Sequence, residues 1–329
     1  MSLHNLPRPD SSQEQPAANR QFASAPVMDM DDCDIGLQRN SVAVEVDQGP
    51  PLMFFEKDNV MRDLYPLVKA VEFRKYCVFE ACSSGLRIIV DDESYQQSVV
   101  FIAKANFNEF RMLPGYEKVE FRIHMTDLLE CLSILGKEDT SPLVMTYQCI
   151  GSEVLFMRRN ESMLVKFSIR THYSVPKLDF EFKDDDVICR IMMRLKPDVL
   201  FDVIKDLDKS SPTVTIRIVK DSIDFSTAGE LGKVNAAIPI TSEIVDEFTV
   251  VGDEIVQSYK VTLIQRMVPA LHSCDKISLR IDKRGMMQAQ FIANQMNTMQ
   301  NYIEFYVVPD LGGSSSDEVE EFDMEDLDM

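Results

Sequence analysis

The sequence lacks the residue sets that most enzyme active sites require. Its four histidines (His4, His124, His172 and His272) lie far apart, and no Ser/His/Asp or Cys/His arrangement accompanies them. No glycine-rich loop of the kind that holds phosphates occurs among the 12 glycines. We therefore expect a protein that binds other molecules, with no catalytic residues, no metal ion and no cofactor.

Long apolar runs and a cysteine framework are also missing. No stretch of about 18 apolar residues is present to span a membrane, and the first residues lack the apolar core of a secretory signal. The seven cysteines are odd in number and scattered: Cys33, Cys77, Cys82, Cys131, Cys149, Cys189 and Cys274. Cys77 and Cys82 are the closest pair, but no second pair or nearby histidine completes a zinc site. We expect reduced, mostly buried thiols in an intracellular protein.

Negative charge is abundant but unevenly distributed. The formal net charge is −20, of which residues 1–50 contribute −5 and residues 311–329 contribute −8. The remaining middle holds 38 acidic and 31 basic side chains. A local basic surface in such a mildly acidic body can still bind phosphates, so total charge does not exclude a nucleic-acid partner.

The two ends of the chain differ in composition from its middle. Residues 1–51 show little hydrophobic periodicity and are predicted to be a disordered extension. Residues 311–329 are predicted to be a disordered acidic tail, whose serines could accept phosphates. The apolar residues Phe322, Met324 and Leu327 leave open a short partner-binding motif in that tail.

The ordered middle contains one pattern twice, displaced by roughly 135 residues. Helical periodicity predicts helices at 58–73, 126–135, 197–207 and 259–272. Pro66 predicts a kink in the first of these helices, or a regular part that starts near Pro66, and Pro269 predicts a kink in the last. Period-two alternation predicts strands at 76–81, 86–90, 98–103, 118–124, 143–148, 154–158, 164–169, 187–194, 277–281, 286–292 and 302–308, with a hairpin and a further strand within 213–240.

This pattern predicts an α+β protein with two repeated domains, 52–170 and 184–310, joined by an extended connector at 171–183. Pro176 and an irregular pattern make the connector unsuitable for a helix or a paired strand. With 329 residues, 45% of them hydrophobic, the chain is long enough for two ordinary domains.

Several sequence blocks resemble the DNA sliding clamps of the PCNA type. Residues 214–232 resemble the second-domain hairpin with its Gly-Glu-Leu-Gly turn, and residues 305–310 (FYVVPD) resemble the closing strand. Blocks at 58–60, 68–74, 107–110, 121–136, 258–263 and 281–285 are more similar to the Rad-one subunits of the DNA-damage checkpoint clamp, whose ring also contains Rad-nine and Hus-one subunits. The most specific block is FRIHMTDLLECLSILG at 121–136. The resemblance covers residues 52–310 and implies a clamp fold with helices inside the ring and antiparallel sheets outside.

The same resemblance implies a function in the nucleus. The chain would be a subunit of a heterotrimeric ring that is loaded around DNA at damage sites, signals to the checkpoint and holds repair enzymes. Its partners would be Rad-nine and Hus-one subunits, a clamp loader, repair and checkpoint proteins, and double-stranded DNA bound without sequence specificity. Basic residues on or beside the helices would face DNA: Arg62, Lys69, Lys196, Lys205, Lys209, Lys260 and Arg266. Aspartates interleave with the lysines of the helix at 197–207, so ordinary solvated charges explain that helix equally well.

Two further surfaces follow from the resemblance. Ring closure would pair edge strands at 163–170 and 231–240, with Met163, Val165, Phe167, Leu231, Val234 and Ile238 as the candidate interface residues. Partner motifs would dock under the connector, where the candidate pocket residues are Val175, Leu178, Tyr306 and Pro309. Simple core packing is an equally good explanation of Tyr306. Residues 300–306 mimic a clamp-binding peptide, which we interpret as coincidence because they lie in a predicted strand.

Three alternatives stay open at this point. The chain could form a homotrimeric replication processivity clamp, or it could be a protein scaffold that never encircles DNA. A 3′-5′ exonuclease would need carboxylates that converge on metal ions. Asp91, Asp92 and Glu93 form the densest acidic trio of the first half, but they directly follow a strand, where an acidic loop is the commoner explanation.

Overall fold

Two halves of similar construction make up the part of the chain that the computed structural model describes, which is residues 49–92, 94–134, 136, 140–196, 198–230, 232–293 and 301–312. The predictions for most of the two tails, and those for Glu93, Leu135, Pro197, Leu231 and Gln300, lie outside the described residues.

The first half runs from β1 to β9. Its strands are β1 (Met53–Lys57), β2 (Tyr76–Cys82), β3 (Gly85–Asp92), β4 (Gln96–Ala103), β5 (Glu109–Met112), β6 (Lys118–His124), β7 (Leu143–Tyr147), β8 (Val154–Arg159) and β9 (Leu164–Ile169). Its helices are α1 (Val60–Asp63) and α2 (Tyr65–Lys69), which follow β1, and α3 (Met125–Ser133), which follows β6.

The second half repeats this order. Its strands are β10 (Val187–Arg194), β11 (Thr213–Val219), β12 (Ser222–Gly229), β13 (Gly232–Pro239), β14 (Val245–Val250), β15 (Glu254–Lys260), β16 (Lys276–Asp282), β17 (Met287–Ala293) and β18 (Asn301–Val307). Helix α4 (Val199–Asp206) follows β10, and α5 (Val261–Gln265) and α6 (Val268–Ser273) follow β15. By position, β4 corresponds to β13, and β9 corresponds to β18.

The two predicted proline kinks are confirmed as breaks in the helices. The first predicted helix is divided at Leu64, immediately before α2, whose second residue is Pro66. The last one is divided at Arg266 and Met267, before α6, whose second residue is Pro269. Proline has no backbone N–H and its ring clashes with the preceding turn, so it is tolerated only at the start of a helix.

The sheets join the two halves into one framework. A nine-stranded sheet has the order β14-β10-β16-β17-β18-β4-β3-β2-β6, so β18 of the second half pairs with β4 of the first. In this antiparallel seam Phe305 lies opposite Ser98, and Tyr302 lies opposite Phe101. A five-stranded sheet has the order β5-β1-β7-β8-β9, and a four-stranded sheet has the order β13-β12-β11-β15.

The core lies between the helices and one face of the sheets. Leu67 and Val68 of α2, Leu128 of α3, Ile204 of α4 and Leu271 of α6 are all buried in one cluster with the inward residues of the strands. Helix α2 contacts α6, so the helices of the two halves meet. Amphipathic helices bury one stripe and leave the opposite stripe free, which places their exposed residues on the side away from the sheets.

Four strands were not predicted: β1, β5, β14 and β15. Residues 171–183 contain no helix, and one isolated bridge joins His172 to Arg122 of β6. Of the cysteines, Cys77, Cys131, Cys189 and Cys274 are buried, Cys82 is half-buried, Cys149 is exposed, and all six have free thiols; Cys33 lies outside the described residues. No helix in the described ranges has the length and apolar character needed to cross a bilayer.

Candidate functional site

The helices of the first half present two exposed basic side chains from the predicted DNA face. Arg62 of α1 is 75% exposed and donates a 2.7 Å hydrogen bond from Nε to Asp63. Lys69 of α2 is 51% exposed and forms an ion pair with Glu72, one turn further along. Both cations therefore have acidic neighbours, which reduces the net positive charge that they offer to a phosphate.

Around α4 the charges are mixed, as the sequence indicates. Lys196 lies 2.6 Å from the carboxylate of Asp198. By contrast, Lys205 and Lys209 are exposed, and neither amine has a hydrogen bond or ion pair within the described part of the chain. The Lys205 amine lies 5.9 Å from the ring centre of Phe201. Among the predicted DNA-facing residues, Lys205 and Lys209 are therefore the exposed cations that have no acidic partner in the described part of the chain.

Lys260 lies at the junction between β15 and α5. Its side chain is half-buried, and its amine lies 3.8 Å from the ring centre of Tyr95, in the turn between β3 and β4. A cation over an aromatic face keeps its charge while part of its hydration is removed. Lys260 thus lies where the second half meets the first.

Arg266 has partners that the sequence did not indicate. Its side chain is 29% exposed, and its guanidinium forms an ion pair with Asp92 at the end of β3. It also donates a 3.3 Å hydrogen bond to Gln96 and lies 5.1 Å from the ring centre of Phe73. Burial lowers the pKa of Arg266 from its ordinary value. Contact with DNA stays a prediction for this residue, but its charge is already engaged between the two halves.

The carboxylates considered for catalysis are engaged within the chain. Asp92 is 5% exposed and also forms an ion pair with Arg74. Asp91 accepts hydrogen bonds of 2.8 Å from Gln97 and 3.2 Å from the backbone N–H of Leu178. In the described ranges, no group of three His, Cys, Asp or Glu side chains is arranged to hold a metal ion.

The predicted interface strands β9 and β13 are terminal strands of their sheets. On β9, Val165 and Phe167 are half-buried, and Met163, just before the strand, is 51% exposed. On β13, Val234 is half-buried, whereas Ile238 is 1% exposed and belongs to the core. The side chain of Ile238 therefore packs within its own chain, and only its backbone lies at the edge.

A groove of about 710 Å³ lies between the connector and the nine-stranded sheet. Leu178 and Tyr306 line it, while Val175 and Pro309 are not among the residues that form its walls. Its other walls carry aromatic and charged side chains, namely Glu80, Arg87, Phe180, Phe182, Lys183, Tyr302 and Glu304. Two of the four predicted pocket residues are thus brought together.

A partly buried network of ion pairs holds the connector beside this groove. Lys177 forms ion pairs with Glu80 and, at 2.7 Å, with Glu120 on neighbouring strands. Burial alone raises the pKa of Glu120, but hydrogen bonds from Lys118 and Lys177 outweigh it and lower this pKa to about 2. No sequence pattern indicates this network, since its members are far apart in the chain.

Comparison with known proteins identifies a family. The family model described as "Repair protein Rad1/Rec1/Rad17" matches residues 53–293. The "Cell cycle checkpoint protein RAD1 homolog mrt-2" of Caenorhabditis elegans is 33% identical over 259 residues, which cover 78% of this chain and 94% of that protein. The "Cell cycle checkpoint protein RAD1" of Homo sapiens is 30% identical over 259 residues, covering 77% and 90%.

A solved structure has the same fold. The proliferating cellular nuclear antigen of Entamoeba histolytica superposes with a TM-score of 0.64 at 15% sequence identity, covering 79% of this chain and all of that one. The predicted α+β sliding-clamp fold is thereby confirmed. The low identity supports the fold alone and carries no argument about individual residues.

Proposed function

The chain belongs to the Rad1 family, described as "Repair protein Rad1/Rec1/Rad17", and we propose that this DNA-damage checkpoint clamp subunit closes a heterotrimeric ring around duplex DNA. The observation that carries the proposal is that the strand pair at the seam inside the chain, β18 and β4, corresponds to two terminal strands of the other sheets, β9 and β13. Within the chain, β18 pairs with β4. The corresponding strands of the other halves, β9 and β13, both end their sheets.

This correspondence supplies the geometry of ring closure. If a neighbouring subunit has the same two-half construction, its strand equivalent to β13 can pair with β9 in the way that β4 pairs with β18. Another neighbour's equivalent of β9 can then pair with β13. An unpaired strand edge offers a row of N–H and C=O groups to such an addition. Repeating one seam within and between subunits generates a ring when the rotations at the junctions sum to a full turn.

The helix layer is proposed to face the DNA. Its exposed cations are few and partly compensated, with Lys205 and Lys209 the least so, and this suits weak contacts that permit sliding. Phosphate contacts of this kind carry no sequence information. The other predicted DNA-facing residues stay in the proposal: Arg62, Lys69, Lys196 and Arg266 with the acidic partners described above, and Lys260 half-buried against Tyr95.

The partners in this proposal are two related subunits of the Rad-nine and Hus-one types, a clamp loader, and repair and checkpoint proteins that bind the connector groove. The place of action is the nucleus, because the DNA is there. The chain acts by holding other proteins on DNA and performs no reaction itself. The 3′-5′ exonuclease alternative would require Asp91 and Asp92 to leave their present hydrogen bonds and ion pairs.

Assembly is the test of the proposal. The full chain is to be co-expressed with Rad-nine-type and Hus-one-type subunits, and the complex examined by native mass spectrometry. We expect one copy of each subunit in a closed ring. A homotrimer of this chain alone would favour the replication-clamp alternative, and a stable complex that is never retained on DNA would favour a scaffold. Either result would overturn the proposal.

A further inference from the structure

The β4–β18 seam inside the chain supplies a register for the proposed junctions between subunits. In the seam, Phe305 of β18 lies opposite Ser98 of β4. Phe167 of β9 takes the place of Phe305, because it lies opposite Phe156 of β8 as Phe305 lies opposite Ala289 of β17. Phe167 therefore marks the same position on β9 that Phe305 marks on β18.

Val234 marks the matching position on β13. It lies opposite Thr227 of β12, as Ser98 lies opposite Val90 of β3, the strand that corresponds to β12. If each junction repeats the seam, Phe167 of one subunit lies opposite the neighbour's residue equivalent to Val234. Both side chains are apolar and half-buried, so this pair alone does not distinguish one neighbour from another.

Two lysines lie on the opposite faces of the same edge strands. Lys166 of β9 and Lys233 of β13 are exposed, and neither amine has a hydrogen bond or ion pair within the described ranges. Because strand side chains alternate, the seam register sets Lys166 opposite the position of Asn235, and Ser168 opposite the position of Lys233. If two copies of this chain paired, the two lysines would be diagonal neighbours with Cβ atoms roughly 7 Å apart.

The other charges around the two edges do not compensate this pair. Arg170, whose side chain is 89% exposed, would be the second diagonal neighbour of Lys233. The acidic side chains are already paired or lie in turns at the strand ends: Glu153, 4.0 Å from Arg170; Asp224, 3.1 Å from Arg217; Glu161; and Glu230. In the seam itself Glu304 and Gln97 stand in place of the two lysines, so like charges do not meet there.

We propose that Lys166 and Lys233 determine which subunits this chain accepts as neighbours. They disfavour a junction between two copies of the chain, and each forms an ion pair with a carboxylate on the facing edge strand of a different subunit. Backbone pairing cannot make this distinction, because every free strand edge offers the same N–H and C=O groups. Discrimination therefore comes from side chains that attract one partner and repel another. The inference rests on the proposed ring closure through β9 and β13 and adds the residues that select the neighbours.

Reversing one lysine converts the repulsive pair of a self-junction into an attractive one. Sedimentation velocity of the full chain at low salt measures its self-association. We expect Lys166→Glu alone, or Lys233→Glu alone, to lower the dissociation constant of self-association at least about tenfold relative to the unaltered chain. Both reversals together place like charges opposite each other again and should remove the gain. Lys220→Glu makes the same change of charge at a side chain that is 69% exposed in the turn between β11 and β12, and should have no effect.

The same variants are then measured against Rad-nine-type and Hus-one-type subunits by surface plasmon resonance. Lys166→Glu should weaken only the junction at β9, and Lys233→Glu only the junction at β13, each at least about tenfold. Self-association that neither reversal increases, or unaltered affinity for both partners, would overturn this inference alone, because a ring can still form through backbone pairing. Trimers of the unaltered chain would overturn this inference and the proposed function together. A gain in self-association without a ring around DNA would contradict the proposed function and support the inference.

Discussion

The side chain of Gln96 on β4 donates a 3.0 Å hydrogen bond to the backbone carbonyl of Leu263 in α5, 167 residues further along the chain. Gln96 is fully buried. Beside it, Asp92 binds Arg266 of the second half and Arg74 of the first. We call these contacts of Gln96 and Asp92 the joint between the halves. The joint adds side-chain contacts to the β4–β18 seam and fixes the angle between the halves, on which ring closure depends.

Removing the carboxylate of this joint is expected to destabilise the chain. Asp92→Ala leaves Arg74 and Arg266 without their shared partner, and we expect a decrease of about 2 kcal/mol in the free energy of unfolding. Both arginines are partly exposed, which keeps the decrease below that of a fully buried pair. Urea unfolding followed by circular dichroism measures it.

The matched control is Asp253→Ala. Asp253 is 93% exposed and pairs with Lys220 at the surface, so its removal should change the free energy of unfolding by less than about 0.5 kcal/mol. Equal effects of the two substitutions would contradict the role given to the joint.

Charge at the free edges is expected to prevent ring closure without unfolding the chain. Met163→Glu on the β9 side and Val234→Glu on β13 each place a carboxylate at one junction. Each should weaken assembly with the neighbouring subunit at least about tenfold, or about 1.4 kcal/mol, and only at its own junction. Pairwise affinities measured by surface plasmon resonance separate the two. Val251→Glu, at a residue that is 63% exposed between β14 and β15, should leave both affinities unaltered.

The uncompensated lysines of the helix layer are expected to account for part of the salt dependence of DNA binding. Changing Lys205 and Lys209 to alanine removes up to two amines that can bind phosphates. The slope of log K against log salt should then become less steep by about 0.9 for each of these lysines that binds a phosphate. Lys220→Ala, in the turn between β11 and β12, is the control. Equal slopes for the unaltered chain, the double variant and the Lys220→Ala variant would show that Lys205 and Lys209 do not contact DNA.

The contacts of Glu120 predict how the connector responds to acid. Because the folded-state pKa of this carboxyl is lowered to about 2, its contribution to stability is present above its ordinary pKa of about 4.5 and is lost as the pH falls toward 2. Lys177→Met should raise the pKa of Glu120 toward the ordinary value. Carboxyl-carbon NMR titration measures both, and an unaltered pKa in the variant would show that Lys177 does not hold Glu120.

Local sequence patterns predicted much of the fold, because helix breaks and strand alternation are caused by residues that lie close together in the chain. Pro66 and Pro269 mark the two helix breaks, since the missing N–H acts where the proline stands. β15 was missed, and its last residues, Tyr259 and Lys260, were wrongly predicted as helix because they continue an apolar spacing that also fits a helix. A strand of four residues such as β5 is too short for alternation to distinguish it from a loop.

The candidate sites were predicted less completely, because they depend on contacts between distant residues. The sequence indicated Arg266 only as one of the basic residues on or beside the helices, whereas Asp92, 174 residues away, is its partner in the fold. Likewise, Ile238 was predicted as an interface residue because it lies on an edge strand. Its side chain lies on the inward face of its sheet and is buried in the core. Phe180 and Phe182 were not predicted as pocket residues, because only the folded connector brings them to Tyr306.

Retention on circular DNA tests the central claim most directly. The complex with Rad-nine-type and Hus-one-type subunits is loaded onto nicked circular DNA with a clamp loader and ATP, then washed at high salt, where phosphate contacts are weak. A ring around DNA is held by topology, so we predict that the complex stays on the circle and is released when the circle is cut. Release from the intact circle at high salt, or equal retention on circular and linear DNA, would contradict the account.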